Sequence, residues 1–404
     1  MKNNCYFCSV KFVNEIITRI TICILLLLPQ AVTAQNVVAD SSDDSLEISL
    51  LTCYPGNEVY SYYGHTAIRV TDAAKGNDFV VNYGVFSFNQ PYFIPKFIFG
   101  LTDYEMGIIS FRDFQAEYTY FHRPVIQQVL NLTGEEKQKI MQALTENYTT
   151  AARVYRYNFL YTNCTTKAKD ILTENLSGRL EYADRKDSYP SYRAMLHQCN
   201  KNHPWASFGN DLLLGVKADM PTDHNEQAFL PFNLMNDFKQ AVIIDSKGQR
   251  RPLVKKTFMA LDTPTDAVAT SPYPTPTLCA WMVVLGVVAI CGIEAYSKKR
   301  LWLFDTVGML LIGCAGILIT AMFFSQHPTT STNLQVLLLN PLPLVFIYRT
   351  TKRGIRREKD PYWRCAAIVV VLFLLCGFIQ SYAEGMMTVG IACLTRCIWN
   401  SLRK

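Results

Sequence analysis

One cysteine and one histidine in this sequence are placed for nucleophilic chemistry. Cys164 follows Asn163, a residue type that caps helices, and begins a run with the pattern of a helix, residues 163–172. We therefore expect Cys164 in the first turn, where unpaired backbone N–H groups and the helix dipole lower the pKa of a thiol. A thiolate in that position is a nucleophile suited to covalent catalysis.

A cysteine nucleophile needs a base within reach, and His65 is the strongest candidate. Gly64 before it permits close approach of the backbone, and His65 opens a predicted strand, whereas the other histidines of the same region lie in turn-rich or surface segments. A partner must hold the imidazole in its useful tautomer, and Asn82 on the next predicted strand is our candidate. The alternatives for this third position are nearby polar residues, Glu58, Asn77 and Asp78.

The elements that must position these side chains can be predicted from local patterns. Strands are expected over residues 46–53, 64–70 and 79–83, and an extended run over 154–161 leads directly into the cysteine-bearing helix. Thr133 and Glu136 form the pattern of a capping box that opens a further helix. A cysteine and a histidine so far apart in sequence more often serve the core or the surface, so the pair alone does not establish an enzyme.

Composition excludes a disordered chain and a disulfide scaffold. Of the 404 residues, 50% are apolar and only 18% are charged, which fits a folded domain with a membrane part. Of the 13 cysteines, the only ones between residues 24 and 276 are Cys53, Cys164 and Cys199. We leave open whether Cys53 and Cys199 form a disulfide or are buried separately.

Four segments follow one another along the chain. Residues 1–34 carry basic residues, a short apolar run and a small-residue cleavage site, which predicts a signal peptide. Residues 35–260 have the mixed polarity of a soluble domain, and the proline-rich residues 261–276 predict a linker. Residues 277–404 predict a helical transmembrane domain, so the candidate catalytic residues all belong to an exported domain.

The predicted membrane domain contains five apolar segments, at about 277–296, 301–325, 333–348, 363–382 and 386–399. Lys and Arg are concentrated after the first segment, between the third and fourth, and at the chain end, whereas the loops at 326–332 and 381–385 contain neither. By the positive-inside rule the basic sites are cytoplasmic, which predicts a multi-pass inner-membrane protein with residues 35–260 in the periplasm. The net charge of +6 therefore reflects topology, and no nucleic-acid partner is expected. Within the spans, we expect Glu294 and Asp305 to pair with the basic residues 298–300.

Several motifs resemble one known family. They are residues 51–56 (LTCYPG), 63–70 (YGHTAIRV), 82–86 (NYGVF), 159–166 (FLYTNCTT), 209–215 (GNDLLLG) and 229–231 (FLP). Together they are similar to the Lnb family of lipoprotein N-acyltransferases of Bacteroides-type bacteria, and membrane spans after the domain are also a feature of that family. The resemblance implies an α+β fold class: a circularly permuted papain-like (NlpC/P60) periplasmic domain plus a C-terminal α-helical membrane domain of about five spans. The order His65, Asn82, Cys164 is the one that permutation predicts.

The resemblance also implies a reaction, in which Cys164 takes an acyl chain from a membrane phospholipid as a thioester. The chain then passes to the α-amino group of the diacylglyceryl-cysteine of a diacylated apolipoprotein, with His65 as the base. Pulling an acyl chain into water costs about 0.8 kcal/mol per CH₂, so such an active site must lie at the bilayer. The alternatives are a membrane-anchored NlpC/P60-like peptidoglycan endopeptidase or amidase, and a non-catalytic membrane assembly factor. The sequence has no His-Glu-x-x-His motif, no paired Cys-x-x-Cys motifs and no phosphate-binding glycine-rich loop, so we expect no metal and no other cofactor.

Between the histidine and cysteine motifs, residues 91–101 (PYFIPKFIFGL) form an aromatic and apolar run. Its two prolines disfavour a regular element. We expect it to provide either an acyl groove or a lip that dips into the membrane, or else ordinary core.

Overall fold

A computed structural model describes residues 45–89, 91–183, 189–265 and 273–403. The predicted signal peptide and part of the predicted linker, residues 266–272, lie outside these ranges. Within them, the strands belong to the N-terminal part of the chain and long helices make up the C-terminal part. The fold is therefore mixed α/β with a sheet-rich N-terminal domain and a helical C-terminal region, as predicted.

Ten strands occur in the described residues. In chain order they are β1 Leu46–Cys53, β2 His65–Asp72, β3 Asn77–Val85, β4 Asp103–Ser110, β5 Val125–Leu130, β6 Val154–Arg156, β7 Arg179–Glu181, β8 Val242–Ile244, β9 Arg250–Pro252 and β10 Val254–Leu261. Seven of them form one antiparallel sheet in the order β10-β5-β1-β2-β3-β4-β6, and the other three form a small sheet, β7-β8-β9. The predicted strands at 46–53, 64–70 and 79–83 correspond to β1, β2 and β3, whereas the extended run at 154–161 is regular only over β6.

Helices cover both faces of the large sheet. In the N-terminal domain the described helices are α1 Phe93–Ile98, α2 Phe111–Tyr120, α3 Gly134–Thr149, α4 Cys164–Glu174, α5 Tyr192–Cys199, α6 Pro204–Leu213, α7 His224–Gln227 and α8 Pro231–Gln240. The predicted capping box is confirmed at the start of α3, where the Thr133 side chain accepts from the backbone N–H of Glu136. The short α1 forms inside residues 91–101 despite its proline, because Pro95 lies in the first turn, where a missing N–H costs little.

Side-chain alternation along the strands divides the core into two layers. Leu50, Ile68 and Val81 point to one face of the sheet, where they join Ala168 of α4 in a buried cluster. Their strand neighbours on the opposite face pack against α2, and this second cluster contains Leu51, Ala67, Val80, Phe111 and Phe114. Since a one-residue slip would exchange the two sets, burial of both faces fixes the register of the central strands. That register places the start of β2 beside the start of α4.

The C-terminal region consists of five described helices, α9 Pro276–Ser297, α10 Trp302–Met322, α11 Leu342–Ile355, α12 Tyr362–Cys376 and α13 Met386–Leu402. In the part of the chain that the structure describes, α9 and α10 are long and apolar enough to cross a membrane, and α12 is a shorter apolar helix. The predicted segment 333–348 is not one helix. A single 3-10 turn, Leu334–Leu337, precedes Asn340 and Pro341, and α11 begins only after them, because proline cannot continue a helix through its ring.

A buried charge cluster joins three of these helices. Arg396 of α13 lies 2.8 Å from a carboxylate oxygen of Glu294 in α9 and 2.6 Å from one of Asp305 in α10. The indole N–H of Trp399 also donates to Glu294 at 2.7 Å. The expectation that Glu294 and Asp305 pair with the basic residues 298–300 was therefore wrong: a basic side chain on a distant helix is the partner, which only the tertiary fold reveals.

The N-terminal domain is in direct contact with the helical region through buried hydrogen bonds. Gln335 donates to the backbone carbonyl of Asp211 at 2.8 Å, and Asn333 to that of Leu212 at 2.8 Å. Gln380 donates to the carbonyl of Leu214 at 3.0 Å. Asn333, Gln335 and Gln380 are at most 1% exposed. The two regions are therefore packed together at this face, and their contact does not depend on the predicted linker alone.

Candidate active site

The first turn of α4 holds the cysteine as predicted. Asn163 is the N-cap, and its side-chain oxygen accepts hydrogen bonds from the N–H groups of Thr165 and Thr166 at 2.9 and 3.0 Å. The Asn163 amide donates in turn to the backbone carbonyls of Phe159 and Phe229 at 2.9 Å, so the cap is fixed from two sides. Cys164 is the first helical residue, where backbone N–H groups have no partner within the helix.

His65 opens β2 at the end of the sheet that faces α4. A side chain at Gly64, whose φ is +79°, would place its Cβ 2.7 Å from the carbonyl oxygen of Cys53 on β1. Only glycine fits this approach, which agrees with the close backbone contact expected there. The imidazole Nε2 of His65 lies 3.0 Å from Oδ1 of Asn82, and the ring is near enough to the Cys164 thiol for each group to shift the pKa of the other.

Asn82 reaches His65 because of the strand register. It lies opposite Ala67, which is two residues along β2 from His65 and so shares its face. Of the alternatives, Asp78 is held by Arg69 through two bonds of 2.7 and 2.8 Å at the other end of β3. Asn77 is exposed at the start of that strand, and Glu58 precedes the 3-10 turn Val59–Ser61. The structure thus brings Cys164, His65 and Asn82 together.

The electrostatics favour an ion pair between the thiol and the imidazole. Burial raises the pKa of the Cys164 thiol, but the charge and hydrogen bond of His65 more than offset burial, and the pKa falls to about 7. Burial lowers the pKa of His65, but the nearby Cys164 sulfur raises it above its ordinary value, and Asn82 adds to this effect. Near neutral pH the site therefore contains the nucleophilic thiolate of Cys164 beside His65, which can donate a proton.

A bulge in β3 brings the backbone close to the thiol. The register against β4 shifts between Asn82 and Val85, and Gly84 within this interval has a φ of +89°. A Cβ on Gly84 would lie 3.6 Å from the Cβ of Cys164 and 3.9 Å from the ring of Tyr104. The glycine in the NYGVF motif therefore leaves space between the nucleophile and an aromatic side chain.

Sequence reasoning did not identify two tyrosines of the site. Tyr104 on β4 and Tyr157 after β6 stack with ring centroids 4.0 Å apart. Burial, and after it the charge of Cys164, raises the pKa of both hydroxyls. Tyr155 and Tyr157 lie two residues apart in the extended run before the cysteine. This two-residue period of a strand was the sequence signal that could have identified Tyr157. Tyr104 had none, because its approach depends on strand pairing.

The other two cysteines of the domain are not nucleophiles at neutral pH. Cys53 and Cys199 are both free, which settles the open question in favour of separate thiols. Burial raises the pKa of Cys53 to about 12 and that of Cys199 to about 11. Among the residues with described positions, no group of three or more His, Cys, Asp or Glu side chains is arranged to hold a metal ion.

The arrangement can perform acyl transfer through a covalent intermediate. A thiolate at a helix start can attack a carbonyl carbon, and the backbone N–H of Cys164 itself can bind the resulting oxyanion. His65 can return its proton to a leaving oxygen or nitrogen, and Asn82 keeps the ring oriented. The geometry is common to transferases and hydrolases that use cysteine, so it does not select the acceptor.

Comparisons with known proteins identify the family. Residues 34–198 match the family model of the Lnb N-terminal periplasmic domain, and this range contains all three site residues. Residues 268–404 match the model of the Lnb transmembrane domain. Comparison with curated proteins and with solved structures gave no match. The resemblance seen in the sequence motifs is thereby confirmed: the chain belongs to the Lnb family, and it is a membrane protein with a periplasmic domain followed by a transmembrane domain.

Proposed function

We propose that this protein is a lipoprotein N-acyltransferase. It moves an acyl chain from a membrane phospholipid, through a thioester on Cys164, to the α-amino group of the diacylglyceryl-cysteine of an apolipoprotein. The observation that carries the proposal is the pairing of Cys164 with His65 in a domain that is bonded directly to a helical membrane region. A cysteine nucleophile held at the membrane suits a reaction whose donor and acceptor are both lipids.

In the first half of the reaction, the Cys164 thiolate attacks the ester carbonyl carbon of the phospholipid and forms a C–S bond. The backbone N–H of Cys164 donates to the oxyanion of the tetrahedral intermediate. When the intermediate collapses, the ester C–O bond breaks, and protonated His65 gives its proton to the leaving oxygen. A lysophospholipid departs, and the acyl group remains as a thioester.

In the second half, the free amine of the apolipoprotein attacks the thioester carbon. His65 accepts the proton that the amine loses, and Asn82 stabilises the ring orientation needed for this transfer. The C–S bond then breaks, so that the thiolate and the imidazolium are restored together. No group outside the two substrates and the site residues is consumed.

The domain that carries this site is, in our proposal, a permuted papain-like fold of the NlpC/P60 type. Its support is chain order: β2 with His65 and β3 with Asn82 precede α4 with Cys164. We propose further that α9 to α13 are five spans in the inner membrane. The charge asymmetry of their loops then places the catalytic domain in the periplasm, where lipoproteins with a free amine are exposed.

The proposal can be tested in a host depleted of its own lipoprotein N-acyltransferase. Mass spectrometry of the N-terminal peptide of a reporter lipoprotein should reveal one added acyl chain when the wild-type protein is expressed. Cys164→Ala and His65→Ala should each abolish this addition. Cys199→Ala is the matched control, because that thiol is outside the site and protonated at neutral pH, and it should acylate the reporter normally.

Two other results would contradict the proposal and select an alternative. A diacylated reporter together with altered muropeptides would identify a peptidoglycan endopeptidase or amidase that uses the same thiol. If Cys164→Ala restores growth and lipoprotein processing as well as the wild type does, the protein is a non-catalytic membrane assembly factor.

A further inference from the structure

A continuous set of aromatic rings extends from the candidate nucleophile to the membrane region. We call it the aromatic wall, and its members are Phe86, Phe88, Phe93, Phe97, Tyr104 and Tyr157. Tyr104 stacks on Phe86 with centroids 4.8 Å apart, and Phe86 stacks on Phe93 at 5.3 Å. Phe88 meets both Phe86 and Phe93 edge-on, at 4.9 and 5.0 Å. Each ring therefore touches the next, without a polar side chain between them.

One end of the aromatic wall lies at the thiol. The space above Gly84 separates Cys164 from Tyr104, with the glycine's absent Cβ position 3.6 Å from one and 3.9 Å from the other. Any side chain at this position would fill that space. The Tyr155 hydroxyl lines the same space at 3.8 Å, and an acyl chain on the sulfur that enters this space meets the ring of Tyr104.

The other end of the aromatic wall lies against the membrane region. The C-terminal carbonyls of α1 accept hydrogen bonds from the loop that follows α10: Phe99 from the backbone of Gln326 at 3.0 Å, and Ile98 from the Ser325 hydroxyl at 3.1 Å. Nε2 of His327 donates to the carbonyl of Phe97 at 3.0 Å. Because α10 is long and apolar enough to cross a membrane, a bilayer around α10 would end near this loop and therefore beside α1.

The outer edge of the aromatic wall, and two residues beside it, are unusually exposed for apolar side chains. Phe88 is 59% exposed, and Tyr92 and Ile94, which flank Phe93, are 79% and 65% exposed. Phe93 itself is buried at 8% and anchors the segment to the core. Exposed rings next to a membrane-facing loop are stable where they contact lipid, whereas in water they are an aggregation hazard. The run 91–101 therefore combines one core anchor with a lipid-accessible edge.

We propose that the aromatic wall binds the acyl chain of the donor phospholipid and leads it from the bilayer surface to Cys164, with Phe88 as a residue that selects long chains. This inference rests on the proposed function. An acyl chain is the occupant that fits, because the surface is continuous from the thiol to the membrane loop and is built from ring faces, with hydroxyls on Tyr104 and Tyr157 as the only polar groups among its members. The wall also shortens the part of the chain that must cross water.

The test compares a long and a short acyl donor on the same thiol. Full-length protein is reconstituted in vesicles of dipalmitoyl phosphatidylethanolamine, and the palmitoyl thioester on the Cys164 peptide is measured by mass spectrometry. Acetylation of the same peptide by p-nitrophenyl acetate is measured in parallel. Phe88→Glu should lower the ratio of palmitoylation to acetylation about tenfold, since a carboxylate replaces apolar contact with several methylenes. Phe88→Leu should retain the wild-type ratio within about twofold.

The matched control is Phe121→Glu, at an exposed phenylalanine whose ring contacts Tyr120 and not the aromatic wall. This variant should keep the wild-type ratio. If Phe88→Glu also keeps it while the wild type forms the palmitoyl thioester, the inference is overturned and the proposed function stands. If the wild type is acetylated but never palmitoylated, the proposed function itself fails. Self-association or capture of another protein through this face would leave the ratio unchanged and would likewise overturn the inference.

Discussion

At the scale of single residues, the reactivity of Cys164 depends on two opposed effects. Burial alone raises thiol pKa values, as it does for Cys53 and Cys199 in the same domain. At Cys164 the neighbouring imidazole reverses the outcome. The difference in thiol pKa between Cys164 and the other two cysteines therefore comes from His65, and not from exposure.

The pH dependence of alkylation tests this balance. A thiolate with a pKa of about 7 forms as the pH rises through 7, so the alkylation rate of Cys164 should increase up to that region and then level off. In His65→Ala the inflection should move to higher pH, because burial still raises the pKa of Cys164 and no imidazole is left to lower it. Iodoacetamide pulses followed by mass spectrometry of the Cys164 peptide give the rates. The Cys199 peptide is the internal control, since its rate should still be rising at pH 9.

An unchanged inflection in His65→Ala would contradict the ion pair. In that case the helix start alone would account for the lowered pKa of Cys164, and His65 would have no part in activating the thiol.

Asn82 is expected to act by orienting the imidazole. Asn82→Ala should lower the rate of thioester formation at Cys164 by about tenfold to a hundredfold, because the ring loses the bond at Nε2 that holds its tautomer. The thermal unfolding temperature should change little, since Asn82 is only partly buried. Asn77→Ala, at the exposed start of the same strand, is the matched control and should have normal activity. Loss of activity in the control with retention in Asn82→Ala would reverse the assignment.

Local sequence signals predicted much of the site but not its surroundings. Asn163 predicts the start of α4 because its side chain caps the first turn, and Gly64 predicts a close approach between backbone segments because it has no side chain. Capping acts within a few residues, and the absence of a side chain is a property of the residue itself, so both can be read from the local sequence. Tyr104 and Arg396 gave no such signal. The first reaches the thiol through strand pairing, and the second meets Glu294 across helices, so only long-range packing defines their roles.

At the scale of elements, a helix and a bulged strand build the site together. The cap at Asn163 fixes the direction of α4, while the bulge at Gly84 brings β3 toward the same point. A regular β3 would carry a side chain where the thiol now has open space. Both devices are local, yet they act jointly because the core clusters on the two faces of the sheet hold α4 and β3 in register.

In the helical region, the charge cluster of Arg396 should dominate the stability of three helices. Arg396→Met leaves Asp305 buried without a cation and Glu294 paired with Arg403 alone, which should lower the free energy of unfolding by about 3 kcal/mol. Combining it with Asp305→Asn should recover most of the loss, because Glu294 keeps Arg403 and no buried carboxylate is left without a cation. Unfolding by denaturant in detergent micelles measures both effects.

The control for that series is Arg356→Met, whose guanidinium is 59% exposed and only 4.0 Å from Glu358. It should change the free energy of unfolding by less than about 0.5 kcal/mol. If the single Arg396 variant is as stable as this control, the cluster contributes no net stability.

At the scale of the whole molecule, side-chain amides of the membrane region donate hydrogen bonds to backbone carbonyls of the periplasmic domain, and these bonds join the two. The motif at 209–215, noticed in the sequence without an assigned role, supplies the carbonyls of Asp211, Leu212 and Leu214 to buried amides of the membrane region. Gly215 closes the contact: its N–H donates to the carbonyl of Thr329, and a Cβ there would lie 2.3 Å from the carbonyl oxygen of Thr332. This joint and the loop against α1 hold the periplasmic domain against the membrane region at two points.

Loosening this joint should reduce the access of lipid to Cys164 without changing the reactivity of its thiol. Gln335→Leu together with Gln380→Leu removes donors to Asp211 and Leu214 and leaves the N–H groups of Leu334 and Ala383 without their side-chain acceptors, so amide hydrogen exchange over residues 211–219 should become about tenfold faster. Palmitoylation of Cys164 from vesicles should fall, whereas its alkylation should keep the wild-type pH dependence because the thiol and His65 are untouched. Gln142→Leu on α3, an exposed glutamine bonded to Glu146, is the matched control and should alter neither. Unchanged palmitoylation in a variant with faster exchange would mean that a flexible tether suffices, and that the buried amides stabilise the protein without positioning its active site.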